Sequence, residues 1–181
     1  MEVISVKHKA SIIKGEYQFA DKVKSEVLSL LKVCNPIPQN NSNVKASIHT
    51  EWNWEPDNIT FRNLKSYIIE EIEKHFKPGS RSGGARGYLR EGRFWANVYK
   101  KGDYAQSHCH KPVAFSFAYF VKSKWYDSPL VFTDSGKRIR PKEGTFVAFP
   151  GYIMHHVPKH RYNDTRITLS GNYDLSPISS I

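Results

Sequence analysis

Residues 93–112 read RFWANVYKKGDYAQSHCHKP, and the reading of this stretch decides the fold. Arg93 to Lys101 is a short run rich in aromatic residues, closed by the turn-forming Gly102-Asp103. His108 and His110 follow with one residue between them. In a β-strand, residues i and i+2 point to the same face, so the two imidazoles can aim at one point. Two adjacent histidines could not do this.

Outward from this segment the same texture continues. AFSFAYFVKS (114–123), SPLVFTD (128–134), GTFVAFP (144–150) and TRITLSGNYDL (165–175) are short aromatic and β-branched runs. Gly, Pro, Asp and Ser punctuate them at intervals of roughly 8–15 residues, the pattern of an all-β sandwich or barrel. Before them lie two helix signals. In residues 21–33, Val23, Val27, Leu30 and Leu31 fall at helical spacing behind Asp21 as N-cap. In residues 60–76, Phe61, Leu64, Ile68, Ile72 and Phe76 form one stripe, with Thr60 capping its start. Cys34 to Ser47 reads as an irregular connection, and 79–87 (GSRSGGARG) as a Gly/Ser/Arg loop. There is no internal repeat. The expectation is one domain over 1–181: a helical N-terminal part, about 1–80, packed against an antiparallel double sheet over about 90–175.

Composition narrows the classes. Hydrophobic residues make up 39% and aromatics 13% of the 181, too apolar for a disordered chain. The two cysteines, Cys34 and Cys109, cannot build a disulfide framework, which points to a reducing compartment, the cytoplasm. The N-terminal residues lack the pattern of a secretory signal, and no apolar run approaches a membrane span. The net charge is +10, from 27 Lys and Arg against 17 Asp and Glu. This surplus favours anionic partners, nucleic acid included, although no nucleic-acid motif accompanies it. Local enrichments occur at Lys77, Arg81, Arg86, Arg90 and Arg93, and at Lys137, Arg138, Arg140 and Lys142.

A third ligand for a metal at the His108/His110 pair must come from another strand. GTFVAFPGYIMHHVP supplies candidates in His155 and His156, about 47 residues after His108. That gap holds roughly four or five strands, enough to bring the segments together again across a jelly roll. Spacing does not choose between His155 and His156. Three neutral imidazoles with open positions suit Zn, Fe or Cu about equally. Arg166, Thr168 and Ser170 share one strand face in TRITLSGN. An inward Arg is costly unless it meets an anion, and a guanidinium beside a hydroxyl suits a small carboxylate.

Together these segments resemble the Fe(II)/2-oxoglutarate-dependent oxygenase superfamily, in particular the group common in tailed phages and marine bacteria. The resemblance is carried by Trp95-Ala96-Asn97-Val98, Lys101-Gly102-Asp103-Tyr104, His108-Cys109-His110-Lys111-Pro112, Ser116 to Val121, and Leu130 to Asp134. It continues through Pro141 to Gly144, Phe149-Pro150, His155-His156-Val157 and Arg166 to Asn172, and covers about residues 45–175. It implies a mainly β, double-stranded β-helix fold, a jelly roll of the cupin type, with flanking N-terminal helices. It also implies Fe(II) on His108, His110 and His155, with His156 off the metal. The 2-oxoglutarate cosubstrate would be held at its distal carboxylate by Arg166, with Thr168, Tyr119 and Asn97 assisting. O₂ and 2-oxoglutarate are then the small-molecule partners, and an unidentified substrate is hydroxylated with release of succinate and CO₂. The basic loop around Arg81 to Arg93, within the basic segment 77–93, is a candidate lid for an anionic substrate. Most of the superfamily carries Asp or Glu at the place of His110, and Phe117, Phe120 and Thr168 replace Gly, Tyr and Ser of the group's pattern. The alternatives are a cupin-like three-His metal protein and a non-catalytic binding module, neither using 2-oxoglutarate.

Overall fold

The structure is a computed structural model that describes residues 10–38, 42–54, 58–76 and 87–177. Two antiparallel sheets face one another. The larger contains β1 (Ile13–Glu16), β3 (Ile48–His49), β4 (Gly87–Tyr99), β6 (Phe115–Lys122), β9 (Thr145–Pro150) and β11 (Arg166–Pro177), in the order β1-β9-β6-β11-β4-β3. The smaller contains β2 (Val44–Lys45), β5 (Tyr104–His108), β7 (Leu130–Phe132), β8 (Lys137–Ile139) and β10 (His155–Val157), in the order β2-β5-β10-β7-β8.

Strand alternation splits the larger sheet into two apolar faces. Ala96, Val98, Tyr119, Val121, Phe146, Ala148, Ile167 and Leu169 turn outward, where helices α1 (Ala20–Leu30) and α2 (Ile59–His75) cover them with Val23, Val27, Leu64, Ile68 and Ile72. Tyr99, Phe120, Val147 and Phe149 turn inward against Ala105, Leu130, Phe132 and Val157 of the smaller sheet. A sheet buried on both faces loses its polar alternation, which is why FSFAYFVK is apolar almost throughout. Removing these side chains from water is the main source of stability.

Both helices form where the periodicity places them, but their starts differ from expectation. The cap of α2 is Asn58, whose side chain accepts from the Thr60 backbone N–H at 2.8 Å, so Thr60 lies inside the helix. Asp21 sits in the first turn of α1, where its charge suits the helix N-terminus without capping it. The N-terminal half also supplies strands β1, β2 and β3, which the sequence reading assigned to no strand. They are two to four residues long, too short to show a period. Among the described residues, no helix is long and apolar enough to cross a membrane.

Candidate metal centre

His108 closes β5 and His155 opens β10, and the two are direct cross-strand partners. Four strands, β6 to β9, lie between them in the chain. His110 stands beyond the end of β5, its backbone N–H donating to the Gly151 carbonyl at 2.7 Å. Ring centroids are 4.4 Å apart for His108 and His155, and 5.0 Å for His110 with each of the others. One nitrogen from each ring lies within 4.8 Å of the other two. His156 faces away, its Nδ1 3.1 Å from Thr133 Oγ1.

The second ring nitrogens orient the set. Nδ1–H of His108 donates to the Gln106 carbonyl at 2.7 Å, and that of His155 to the Ile153 carbonyl at 2.9 Å. Each bond leaves Nε2 as a bare lone pair, the arrangement of a metal-ligating histidine. The Nε2 atoms of His110 and His155 are 3.3 Å apart, about the separation of two nitrogens each about 2.0–2.1 Å from one ion. Burial lowers all three pKa values. His155 falls to about 3 through burial and then the neighbouring His108, and His110 to about 4 for the same reasons in the same order. His108 is lowered by burial, against the pull of the Gln106 carbonyl. The imidazoles are neutral at pH 7 and ready to bind a cation. The donor set fits one divalent transition-metal ion with positions left open.

Beside this triad lies a narrow recess. Its floor is built by cross-strand pairs of β4 and β11: Trp95 with Ser170, Asn97 with Thr168, and Tyr99 with Arg166. Arg166 is 1% exposed, and its Nε and Nη1 have no hydrogen-bond partner. The guanidinium lies 4.8 Å from the Tyr99 ring centroid and 5.5 Å from that of Phe120. Burial lowers its pKa, with Tyr99 and then Asp127 pulling the other way. The Asn97 amide oxygen and the Trp95 indole N–H are buried and unpartnered as well. Idle donors on a buried cation are expensive, and an entering carboxylate would satisfy them.

Of the residues expected around this recess, Arg166, Thr168 and Asn97 meet there. Tyr119 does not. It pairs with Leu169 and turns to the outward face, in the helix-covered cluster with Tyr17. The inward neighbour on β6 is Phe120, and the phenol near Arg166 comes from Tyr99 on β4. Tyr99 and Trp95 were legible in principle, being two residues either side of Asn97 on one strand. The recess shares Val44, Trp95, His108 and His110 with a mouth of about 450 Å³, whose rim carries Arg93, Lys111 and Asp174. Arg93 of the expected basic lid therefore reaches the mouth, whereas Lys77, Arg81 and Arg86 lie outside the described residues.

No family model and no curated protein matches the amino-acid sequence. Solved structures do. The viral collagen prolyl hydroxylase of Paramecium Bursaria Chlorella virus-1, in its 2OG complex, superposes with a TM-score of 0.66 at 13% identity, over 90% of this chain and 94% of its own. A 2OG-Fe(II) oxygenase family oxidoreductase from Burkholderia pseudomallei gives 0.66 at 16% identity, over 90% and 85%. HygX from Streptomyces hygroscopicus, with nickel and 2-oxoglutarate bound, gives 0.66 at 9% identity, over 91% and 83%. The chain has the double-stranded β-helix fold of these oxygenases.

Two tests address the triad directly. Below about pH 6.5 the unfolded chain protonates histidines that the folded site keeps neutral down to about 4 at His110 and about 3 at His155. The unfolded state then binds more protons, so the metal-free protein loses stability as pH falls from about 6.5 toward 4. Thermal midpoints between pH 7.5 and 4.5 should fall more steeply for wild type than for a His110→Gln/His155→Gln variant. Equal slopes would contradict this. The second test is Gly151→Ala. A Cβ there would sit 2.3 Å from the Val113 carbonyl oxygen, so the turn that anchors His110 must shift. Metal affinity should drop about tenfold or more, the scale of disturbing a ligand's supporting contacts. Unchanged metal titration would show that the Gly151 carbonyl does not position His110.

Proposed function

We propose that the chain is an Fe(II)- and 2-oxoglutarate-dependent oxygenase acting on a substrate admitted through the mouth beside His108 and His110. The observation that carries this reading is the fully buried, unmatched guanidinium of Arg166 in the recess adjoining three convergent imidazoles. A metal site alone needs no such cation, and a binding module needs neither.

In this reading His108, His110 and His155 hold Fe(II), and Arg166 grips the distal carboxylate of 2-oxoglutarate. The Thr168 hydroxyl and the Asn97 amide flank that grip, and Tyr99 and Phe120 wall it from water. Bound together, iron and 2-oxoglutarate supply O₂-driven C–H oxidation, most often hydroxylation, with release of succinate and CO₂. The protein's part is to orient the cosubstrate, keep the imidazoles neutral and shelter the recess. No side chain need act as acid or base. The free thiols Cys34 and Cys109 accord with a reducing compartment, the cytoplasm in this reading.

The test is uncoupled turnover. Protein loaded anaerobically with Fe(II) and 2-oxoglutarate, then exposed to O₂ with ascorbate, is expected to form succinate and to lose that activity in His155→Ala. Tight Zn retention with no succinate and no effect of 2-oxoglutarate on the protein would replace this reading with the three-His metal protein.

A further inference from the structure

The most exposed aromatic side chain among the described residues is Trp125, at 74%. It sits in the loop after β6, which runs from the mouth at Val113 to this opposite end, so the metal centre does not account for it. A single exposed apolar side chain is ordinary, so the case for a partner rests on what surrounds this one.

Its neighbours define the partner's chemistry. The Trp125 and Tyr126 rings are 5.6 Å apart and those of Tyr126 and Tyr162 4.5 Å, so three rings form one continuous run, with Tyr162 44% exposed. The run is held in place. Tyr126 Oη donates to Asp164 at 2.5 Å, Lys124 pairs with the same carboxylate at 2.9 Å, and Arg140 Nη1 donates to the Trp125 carbonyl at 3.4 Å. Beside it stand exposed Arg138, Arg140 and Arg161, none of which makes an ion pair among the described residues. Arg138 lies on β8 next to buried Ile139, and exposed Arg140 follows directly after the strand's end.

β8 is an edge strand, and cations there discourage edge-to-edge pairing. That purpose explains Lys137 and Arg138 but not a preorganised row of rings beside them. The exposed large hydrophobic residues in this patch are Trp125 and Tyr162. The exposed aliphatic ones, such as Leu28, Val33, Ile59 and Leu175, lie on other elements, so no aliphatic side chain accompanies the rings. Flat rings with flanking free cations instead match bases alternating with phosphates.

The geometry points to a binding site for single-stranded nucleic acid, in which Trp125 and Tyr162 stack bases, half-buried Tyr126 braces them from beneath the Lys124 ammonium, and Arg138, Arg140 and Arg161 meet phosphates. Stacking has little sequence preference, and the cations make the contact sensitive to salt. The site is independent of the metal centre and of the function proposed for it.

The test is fluorescence anisotropy of a labelled twelve-nucleotide oligothymidine titrated with the full chain without metal. Binding is expected at micromolar protein in 50 mM KCl, weakening roughly tenfold or more at 200 mM. Trp125→Ala should weaken it at least about fivefold and Trp125→Phe much less, because a phenyl ring still stacks. Arg138→Glu/Arg140→Glu should weaken it further and flatten the salt dependence, whereas Lys22→Glu on the exposed side of α1 should change affinity less than about twofold. Circular dichroism melts check that each variant folds. Unchanged binding in Trp125→Ala overturns the site. So does an equal loss in Lys22→Glu, which would reduce the effect to net charge. So does capture on phosphatidylserine vesicles without oligonucleotide binding, which would make the patch a membrane contact.

Discussion

Arg166→Met is expected to raise the melting temperature of the ligand-free protein while abolishing its response to 2-oxoglutarate. The guanidinium is 1% exposed, and two of its nitrogens have no acceptor. Its attractions inside the fold are the Tyr99 and Phe120 ring faces and the more distant Asp127. A cation over an aromatic ring is worth about 0.5–2 kcal/mol, less than the cost of dehydrating an ion. A hydrophobic side chain of similar length therefore stabilises, by about 1–3 kcal/mol on the scale of other buried-charge replacements. For a chain of this size that is an upward shift of roughly 2–10 °C. Wild type loaded with Mn(II) in place of iron should gain about 2.7 kcal/mol from 2-oxoglutarate at a hundred times its dissociation constant, and the Met variant nothing. Arg166→Lys should keep a weak response, because one ammonium cannot reproduce the two-pronged contact with a carboxylate. Differential scanning fluorimetry with and without 2-oxoglutarate reads both effects at once. If Arg166→Met instead lowered the midpoint sharply, Arg166 would be a structural cation whose partners lie within the fold.

The legibility of this site in the sequence follows strand geometry. Arg166, Thr168 and Ser170 are two apart on β11, and the interval from His108 to His155 fits the four strands between them, but His110 lies beyond the end of β5, so strand alternation is not what brings it beside His108. Residues spaced in this way line one recess, His108, His155, Arg166, Thr168 and Ser170 among them. Tyr119 shows where such spacing fails. In FSFAYFVK nearly every position is apolar, because helices cover one face of β6 and the smaller sheet covers the other, so the inward phase cannot be read. The phase is set by pairing with β11, whose register shifts between Ile167 and Thr168 and places Phe120, not Tyr119, opposite Thr168. A bulge of this kind leaves no trace in residue type. The strands of the N-terminal half escaped for a simpler reason. Val44-Lys45 and Ile48-His49 are two-residue segments whose pairing is dictated by β5 and β4, which lie far along the chain. The choice of Asn58 over Thr60 as the cap of α2 was a near miss between two good capping residues two positions apart.

His110→Glu should bind Fe(II) more tightly than wild type, and His155→Ala should lose the metal. The two expectations rest on opposite sides of one electrostatic balance. Three neutral imidazoles leave the full charge of a divalent ion uncompensated in a setting where burial, followed by the neighbouring His108, drives the pKa of His155 to about 3. Arg93 and Lys111 at the mouth add to that positive field, and Asp174 on the same rim opposes part of it. A carboxylate at position 110 would neutralise part of the charge at contact distance, and hard oxygen donors suit Fe(II) well. Glu is a better probe than Asp here, because the backbone of residue 110 is fixed by its 2.7 Å bond to Gly151 and the longer side chain comes nearer to the reach of Nε2. Competition with a chromophoric chelator at pH 7 should give about a tenfold or larger gain for His110→Glu. His155→Ala, which deletes the deepest of the three donors, should lose at least a hundredfold, more than disturbing a supporting contact costs. The gain need not carry over to turnover, since a less positive iron holds the anionic cosubstrate less firmly and leans more on Arg166. His110→Glu combined with Arg166→Met should therefore lose 2-oxoglutarate binding more completely than Arg166→Met alone. An unaltered iron affinity in His110→Ala would remove residue 110 from the ligand set and leave a two-histidine site in its place.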